Sequence, residues 1–454
     1  MTENKKLDCG LISPNAKTVI VSAVLETIGQ VRFGDGTEVS LTITEKDLVP
    51  TPGGGFVEKV VFSGSKRRGV DRRTIHALRN KRVRKVDNDQ DQGPLFDCYI
   101  PDLCSECPTC WLYGSVGAVG EAAKKKDYNI KSRVLYASAL SVEPSDIAVA
   151  VHNRNAPNEL DHTTGEAGIH SEELIKANVH FPTITVLDRV VDWEIGAFAH
   201  ALLENVNGNR YTAASARQGG IRFSEGESGK LIVVDVSEWG IFPLETVKVP
   251  GEETDFARVK AMFADAIDIN KIRETFKNQG FNCNSNCKGN SFTVGKGDKI
   301  LWTIEQADDV ITVKQGQGGQ ERVLMTRYIG DQAYGFLRER QEDFIHFLGE
   351  FVESEWKKTL AEIQIRLNIK KDTSLPDEVT KLVESGAQKE QVVEKLKEHK
   401  LKYSEKGRVL IVTKGKKELA RLTVRDDGTV ERQESAPSKT PSDSETPSEE
   451  DTEE

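Results

Sequence analysis

Four of the seven cysteines in this 454-residue chain fall within 13 residues, in the spacing Cys98-x5-Cys104-x2-Cys107-x2-Cys110. Two-residue spacings allow neighbouring sulfurs to reach one metal ion, and four thiolates form a complete tetrahedral ligand set for Zn²⁺. We therefore expect a structural zinc site with no open coordination position. Such a site can supply on the order of 10 kcal/mol of local folding free energy to a loop with little core of its own.

Two other interpretations of the cysteine cluster remain open from the sequence. An iron–sulfur cluster is the main alternative, because the spacing Cys-x2-Cys-x2-Cys also occurs in iron–sulfur proteins. Chance clustering of small buried residues is the second. Cys283 and Cys287 could complete a metal site, although two thiols alone are weak support, and Cys9 has no assigned role.

A strongly basic segment precedes the cysteines. Between Lys66 and Lys85 there are ten Lys or Arg residues and a single acid, Asp71. The pattern predicts a strand at residues 60–62, a glycine turn around Gly64 and a helix from Arg68 to about Asn80.

On a helical wheel this segment has an apolar arc and an opposite basic arc. The apolar arc holds Val70, Thr74, Ile75, Ala77 and Leu78, and the basic arc holds Arg68, Arg72, Arg73, His76 and Arg79. The wheel predicts that one face docks on a sheet while the other presents guanidinium groups. Because planar forked guanidinium groups match phosphate oxygens, we favour a nucleic-acid backbone site. The alternative is a solvated basic face or a nuclear-localisation-like run.

The negative charge of the chain is concentrated at its end. The formal net charge is −10, and residues 433–454 carry eight acids and one lysine, which leaves −3 for residues 1–432. A near-neutral body with one dense basic segment is compatible with local binding of a polyanion. The first residues lack the apolar region of a secretory signal, and no run approaches about 18 apolar residues. We therefore expect a cytoplasmic protein with reduced thiols and no membrane partner.

The second half of the sequence contains an internal repeat. Residues 292–314 and 410–432 align without gaps and share the pattern Val-x-Lys-Gly-x-Lys. Each follows a predicted helix, which indicates two copies of a helix-and-hairpin module. We predict a core of residues 1–250, a first module with a long amphipathic helix (339–367) in residues 251–371, a second module in 372–432, and a disordered acidic tail in 433–454.

Several segments resemble one known family. They are GSKRRGVDRRTIHALRN (64–80), CYIPDLCSECPTCWLYGSVG (98–117), NIKSRVLYASAL (129–140), HNR with TTGEAGIHSEELI (152–175) and GNRYTAASARQGGIRF (208–223). Over roughly residues 17–250 the chain resembles the backbone subunit of CRISPR interference complexes, in the RAMP superfamily, and most closely the type I-D version. The cysteine cluster followed by Leu-Tyr-Gly is the most specific element of this resemblance.

The resemblance implies an α+β fold: a modified RRM-like (ferredoxin-like) palm with inserted lobes, one braced by zinc, followed here by the C-terminal helix-and-hairpin modules. It implies a non-catalytic subunit of a Cascade complex in antiviral defence. Family members bind a guide (CRISPR) RNA, meet the target nucleic acid and other subunits, and polymerise as further copies along the RNA. A protruding hairpin of one copy wedges between bases of the next segment.

Carried over to this chain, the resemblance implies two sets of site residues. The guide phosphates would be held by Lys66, Arg67, Arg68, Arg72, Arg73 and Arg79, with Lys131, Arg133, Arg210, Arg217 and Arg222 as weaker candidates. The structural zinc would be held by Cys98, Cys104, Cys107 and Cys110.

The sequence also departs from the family. The residues after about 251 do not fit its pattern, and we interpret them as an addition that contacts other subunits. Related backbone subunits of type III complexes cut target RNA with a loop aspartate, and Asp35 is the one loosely comparable residue here. The alternative function is therefore a metal-dependent endoribonuclease of the same superfamily. A third hypothesis is a zinc-binding scaffold that does not bind nucleic acid.

Overall fold

The computed structural model is a mixed α+β protein whose described strand pairs are antiparallel except for one parallel pair. The chain divides into two units, Met1–Ile363 and Gln364–Glu454. The structure describes residues 7–33, 36–38, 41–82, 84–87, 90–96, 98, 99, 103–115, 129–155, 169–212, 219–227, 229–249, 254–285, 290–297, 299–316, 321–367, 377–399, 401–414, 417–425 and 427–432.

The elements up to residue 250 include the central strands of the main sheet and several smaller sheets. The strands are β1 Lys17–Thr27, β2 Gly36–Glu38, β3 Leu41–Ile43, β4 Lys46–Pro50, β5 Phe56–Phe62, β6 Arg84–Asp87, β7 Gln90–Pro94, β8 Val134–Tyr136, β9 Ala139–Pro144, β10 Val149–Asn155, β11 Ile169–Ile175, β12 His180–Val190, β13 Ile221–Phe223, β14 Glu225–Gly226, β15 Gly229–Lys230 and β16 Ile232–Glu238. The helices are α1 Gly64–Arg82, α2 Pro108–Tyr113, α3 Ser145–Ala148 and α4 Asp192–Asn207.

The later elements complete the two units. The strands are β17 Asn282–Ser285, β18 Ser291–Lys296, β19 Lys299–Ala307, β20 Val310–Gln315, β21 Arg322–Ile329, β22 Lys402–Lys406, β23 Val409–Lys414, β24 Lys417–Val424 and β25 Val430–Arg432. The helices are α5 Phe256–Ile267, α6 Ile269–Asn278, α7 Gly330–Gly349, α8 Glu353–Arg366, α9 Asp377–Glu384 and α10 Lys389–Glu398.

The centre of the first unit is the strand order β16-β1-β12-β8, in which every neighbouring pair is antiparallel. β1 is buried along all but its first residue, as the apolar run at residues 17–26 predicts. In the chain, α1 lies between β1 and β8, and α4 joins β12 to β16. The two helices pack together against α7, which approaches α4 closely at Gly196, where an added Cβ atom would lie 2.1 Å from the Arg340 carbonyl oxygen.

The two repeated segments fold alike. Each consists of two helices, α5–α6 or α9–α10, followed by an antiparallel four-strand meander, β17–β20 or β22–β25. The register of the second strand pair of each meander, β18–β19 or β23–β24, shifts at aligned positions, between Val294 and Gly295 and between Val412 and Thr413. The first meander continues through β21 into the main sheet, whereas the second forms a separate sheet among the described strands.

Three local predictions were wrong in detail. The alternating pattern at residues 38–44 predicts one strand, but the structure has two antiparallel strands, β2 and β3. The segment 129–142 is also predicted from its sequence as one strand, and it is divided into β8 and β9. The long helix expected at 339–367 is interrupted at residues 350–352, between α7 and α8. The interruption places Phe351 against Phe96 and Phe347 in the core, so tertiary packing outweighs the continuous helical pattern. Among the described helices, none combines the length and apolarity required to cross a membrane.

Candidate metal centre and nucleic-acid interface

The four clustered cysteines bring their sulfur atoms together. The Sγ atom of Cys98 lies 3.5 Å from that of Cys110 and 3.7 Å from that of Cys107, and the Cys104 and Cys110 sulfurs are 3.9 Å apart. All four sulfurs lie within 4.8 Å of one another, and three of the four residues are buried. The structure therefore forms one compact tetrathiol site.

The local fold explains how the spacing creates this site. Cys107 is the N-cap residue of α2, Pro108 begins the helix, and Cys110 follows in its first turn, so the two-residue spacing directs both sulfurs to one point. Ser105 has a φ of 58° and reverses the chain after Cys104. The backbone N–H groups of Glu106 and Cys107 then point at the Cys104 sulfur, at 3.4 and 3.3 Å.

The sulfur separations fit a single metal ion. Four sulfurs at the zinc–thiolate distance of about 2.3 Å define a tetrahedron with edges of about 3.8 Å. Three of the six sulfur–sulfur separations, at 3.5–3.9 Å, match these edges, and all six are within 4.8 Å. An iron–sulfur cluster places its own irons and sulfides between the cysteine sulfurs and needs a wider cage. The donor set therefore suits a mononuclear structural ion.

Helix α1 is buried on two sides rather than one. Arg67, Arg72, His76 and Arg79 are buried, whereas Ala77 is exposed. The wheel was therefore wrong about Arg72, His76, Arg79 and Ala77. The physical reason is that the cysteine loop, which follows α1 in sequence, covers the part of the basic arc that holds Arg72, His76 and Arg79.

The buried arginines of α1 have internal partners. Arg67 donates to the Ala137 carbonyl oxygen and lies 5.4 Å from the ring centroids of Phe62 and Tyr136. Arg79 donates to Thr109 Oγ1 at 3.3 Å and also to the side chain of its neighbour Asn80.

A second group of α1 cations remains on the surface. Arg68, Arg73, Lys81 and Arg82 are exposed, and we call these four residues the exposed cationic stripe; Lys66 is half-buried. Among the described residues, no carboxylate forms an ion pair with any member of the stripe. Gly69 leaves room beside it, since a Cβ atom there would lie 3.6 Å from Arg73 Nη1.

The remaining candidates fall into three groups. Lys131 and Arg210 are exposed, and Arg222 is exposed but pairs with Glu26 at 3.1 Å. Arg133 is buried and forms an ion pair with Glu194. Arg217, together with Asp35 and Cys287, lies outside the described residues.

The imidazole of His200 on α4 is within electrostatic reach of both Arg210 and Arg82. Burial lowers the pKa of His200 on α4, and the positive charges of Arg210 and Arg82 lower it further, against the opposing effect of Glu204.

Asp71 anchors α1 from within and was not identified from the sequence. Its carboxylate accepts hydrogen bonds from the side chains of Tyr136 at 2.5 Å, Tyr211 at 2.6 Å and Asn205 at 2.7 Å. Burial raises the pKa of Asp71, and these three hydrogen bonds oppose that rise. The sequence feature that could have identified Asp71 is that it is the single acid among the ten Lys or Arg residues between Lys66 and Lys85.

Replacing Tyr136 with phenylalanine is expected to reduce the free energy of unfolding of the first unit by about 1.5–3 kcal/mol, the usual contribution of a hydrogen bond to a charged group. The ring that packs on Arg67 is retained. Tyr328→Phe is the matched control, because its hydroxyl has no hydrogen-bond partner among the described residues; we expect a change within about 0.5 kcal/mol. Denaturant unfolding measures both, and equal stabilities of the two variants would contradict the role of the Asp71 network.

Comparisons with known proteins found one family model and similar solved structures. The family model described as Csc2 CRISPR matches residues 50–225, a segment that contains α1 and the tetrathiol site. A solved structure of Csc2 from Thermofilum pendens is 15% identical, covers 61% of this chain and 79% of its own, and has a TM-score of 0.31. A chain of a type IV-B CRISPR complex is 16% identical, covers 51% of this chain and 96% of its own, and has a TM-score of 0.32. No curated protein sequence matches.

Proposed function

We propose that this protein is a non-catalytic, RNA-binding backbone subunit of a CRISPR interference complex of the Cascade type, most similar to the type I-D version, that acts in the cytoplasm. The observation that carries the proposal is the exposed cationic stripe of α1, which lies inside the segment matched by the Csc2 family model. The stripe offers positive charge that no described carboxylate neutralises.

The central sheet supports an RRM-like palm as the platform of this stripe. The order β16-β1-β12-β8 is fully antiparallel, with one helix between β1 and β8 and another between β12 and β16. These are the order and directions of a β-α-β-β-α-β, or split βαβ, arrangement. The polar and cysteine-containing segments are then insertions into that palm.

The stripe suits contact with phosphates rather than with bases. Along the helix axis Arg68 and Arg82 are separated by about 21 Å, at a rise of about 1.5 Å per residue, and the four cations lie at different angles around that axis, at about 100° per residue. Arginine and lysine contacts to phosphate position a nucleic acid without reading its sequence. A subunit of this kind therefore binds guides of unrelated sequence.

The proposal also gives a structural role to the tetrathiol site. A zinc ion held by Cys98, Cys104, Cys107 and Cys110 supports the inserted loop and takes no part in chemistry.

The protruding hairpin of the family corresponds to β4–β5, which exposes Leu48 and Phe56 on one face, with 62% and 71% of their surfaces accessible. Through this hairpin each copy contacts the RNA segment of the next copy, and other subunits join the assembly.

Binding of two unrelated guide RNAs of equal length tests the proposal. We expect affinities within about threefold of each other, because phosphate contacts do not depend on base identity. Fluorescence anisotropy with the full chain measures this, and RNA extracted from the purified protein should contain mixed sequences. A large preference for one guide would contradict backbone binding, and an absence of any RNA binding would favour the scaffold hypothesis.

The endoribonuclease alternative needs its own measurement. We expect labelled RNA to remain intact when it is incubated with the protein and Mg²⁺. Cleavage that is lost in Asp35→Ala would support the alternative and contradict a non-catalytic subunit.

A further inference from the structure

Arg72 is a buried cation whose position RNA binding does not explain. Only 6% of its surface is accessible. Its Nη2 atom lies 3.1 Å from the Cys110 sulfur, its Nε atom donates to His76 Nε2 at 3.2 Å, and its Nη1 atom donates to the Gly114 carbonyl oxygen. In the described part of the chain, no carboxylate pairs with it.

A buried guanidinium group needs a negative partner, because taking a charge out of water costs several kcal/mol when it is left uncompensated. The partner that the geometry offers is the tetrathiol site. A divalent ion with four thiolate ligands carries a net charge of −2. That charge would be buried beside α1 and would itself require cations.

Arg79 supplies a second cation on the same side of α1. It is buried, and its Nη1 atom donates to Thr109, the residue that precedes Cys110. Arg72 and Arg79 together carry +2, which equals the charge that a four-thiolate centre leaves unbalanced.

The thiolates also differ in their hydrogen-bond donors. Backbone N–H groups point at the sulfurs of Cys98 and Cys104. Cys110 receives its donor from the Arg72 side chain instead. Arg72 therefore combines a charge with a directed N–H···S contact, and the contact fixes one ligand in place.

We propose that Arg72, with Arg79 as a second counter-charge, is a positioning residue of a four-thiolate metal centre. The arginines of α1 are then divided by function: Arg72 and Arg79 stabilise the metal centre, while Arg68 and Arg73 face the RNA. The proposal depends on the bound metal of the proposed function, and it adds the residues outside the ligand set that hold the metal.

Metal affinity distinguishes Arg72 from its exposed neighbour Arg73. In the full chain, Arg72→Gln is expected to weaken Zn²⁺ binding 10- to 100-fold in chelator competition, the usual effect of losing a partner of a metal ligand. Arg73→Gln removes the same charge from the surface and should change zinc affinity less than about twofold. For RNA affinity measured at saturating zinc we expect the opposite result: Arg73→Gln weakens RNA binding and Arg72→Gln does not.

A cobalt spectrum provides a readout that loss of general stability would not produce. With Co²⁺ in the site, removing the N–H···S contact raises the energy of the Cys110 sulfur electrons. We therefore expect the thiolate-to-cobalt absorption to shift to longer wavelength in Arg72→Gln and to stay unchanged in Arg73→Gln.

These measurements separate the role of Arg72 from the presence of the metal and from RNA binding. Zinc affinity and cobalt absorption of Arg72→Gln equal to wild type would overturn the role of Arg72 while leaving the metal and the RNA function intact. If the wild-type chain binds no metal, the metal centre and the Arg72 proposal both fail, but RNA binding is judged separately. Should Arg72→Gln not fold, Arg72→Lys replaces it: a zinc affinity below that of the wild-type chain is expected, and wild-type affinity would overturn a specific role for the guanidinium group.

Discussion

Guide-RNA affinity is expected to fall about 300-fold when the salt concentration rises from about 50 to about 200 mM, because each neutralised phosphate of a single strand contributes about −0.7 to the logarithmic salt slope. Six exposed cations of the candidate interface set this slope at about −4. They are Arg68, Arg73, Lys81, Arg82, Lys131 and Arg210. Anisotropy titrations of a short single-stranded RNA at several salt concentrations give the slope directly.

The double variant Arg68→Gln with Arg73→Gln should reduce the slope by about 1.4, because two phosphates lose their partners. At low salt it should also weaken binding about 100-fold or more, since each charge-assisted hydrogen bond contributes about 1.5–3 kcal/mol. Arg72 is excluded from this test because its side chain contacts the tetrathiol site.

The matched control removes two cations from another surface. Lys296→Gln with Lys299→Gln makes the same change in charge at the exposed β18–β19 turn, outside the segment matched by the family model. We expect its slope to equal that of the wild-type protein. A wild-type affinity that does not change with salt, or an equal loss in the control, would show that the stripe does not hold the phosphates.

Patterns that depend on near neighbours in sequence were predictable. β1 follows from one continuous apolar run, and the tetrathiol site follows from the spacing around Cys107, because one N-cap and one helical turn bring two sulfurs together. The repeated modules were visible because aligned segments keep the same buried positions. The aligned positions that are buried in both modules are Phe292 and Leu410, Val294 and Val412, and Ile304 and Leu422.

The side chains that face other parts of the chain were not predictable in this way. A helical wheel distinguishes two arcs of α1, but it contains no information about the loop that later packs on one of them. Arg72 and Arg79 therefore look like surface cations in sequence and are buried against Cys110 and Thr109 in the fold. The interruption after α7 has a similar origin, since α8 must place Trp356 where its ring N–H donates to the Glu106 carbonyl oxygen of the cysteine loop.

Removal of the metal is expected to unfold the cysteine loop and α2, because a four-thiolate site can supply on the order of 10 kcal/mol to such a segment. Either a strong chelator or Cys107→Ser should produce this effect. Hydrogen exchange measures it locally: the backbone amides of Cys110 and Trp111, which donate to the Cys107 carbonyl oxygen, should lose most of their protection. Amides of the second unit, such as Leu401, should not change.

The same change should reach the RNA surface through α1. Without the folded loop, Arg72 and Arg79 lose their partners Cys110 and Thr109, so the helix that carries Arg68 and Arg73 loses its support on one side. We therefore expect metal-free protein to bind guide RNA at least about tenfold more weakly, and added Zn²⁺ to restore the affinity. Cys283→Ser is the matched control, because Cys283 is a half-buried thiol of the first repeated module and lies outside the cluster. Full RNA affinity in protein shown to lack metal would mean that α1 is held by the Asp71 network alone.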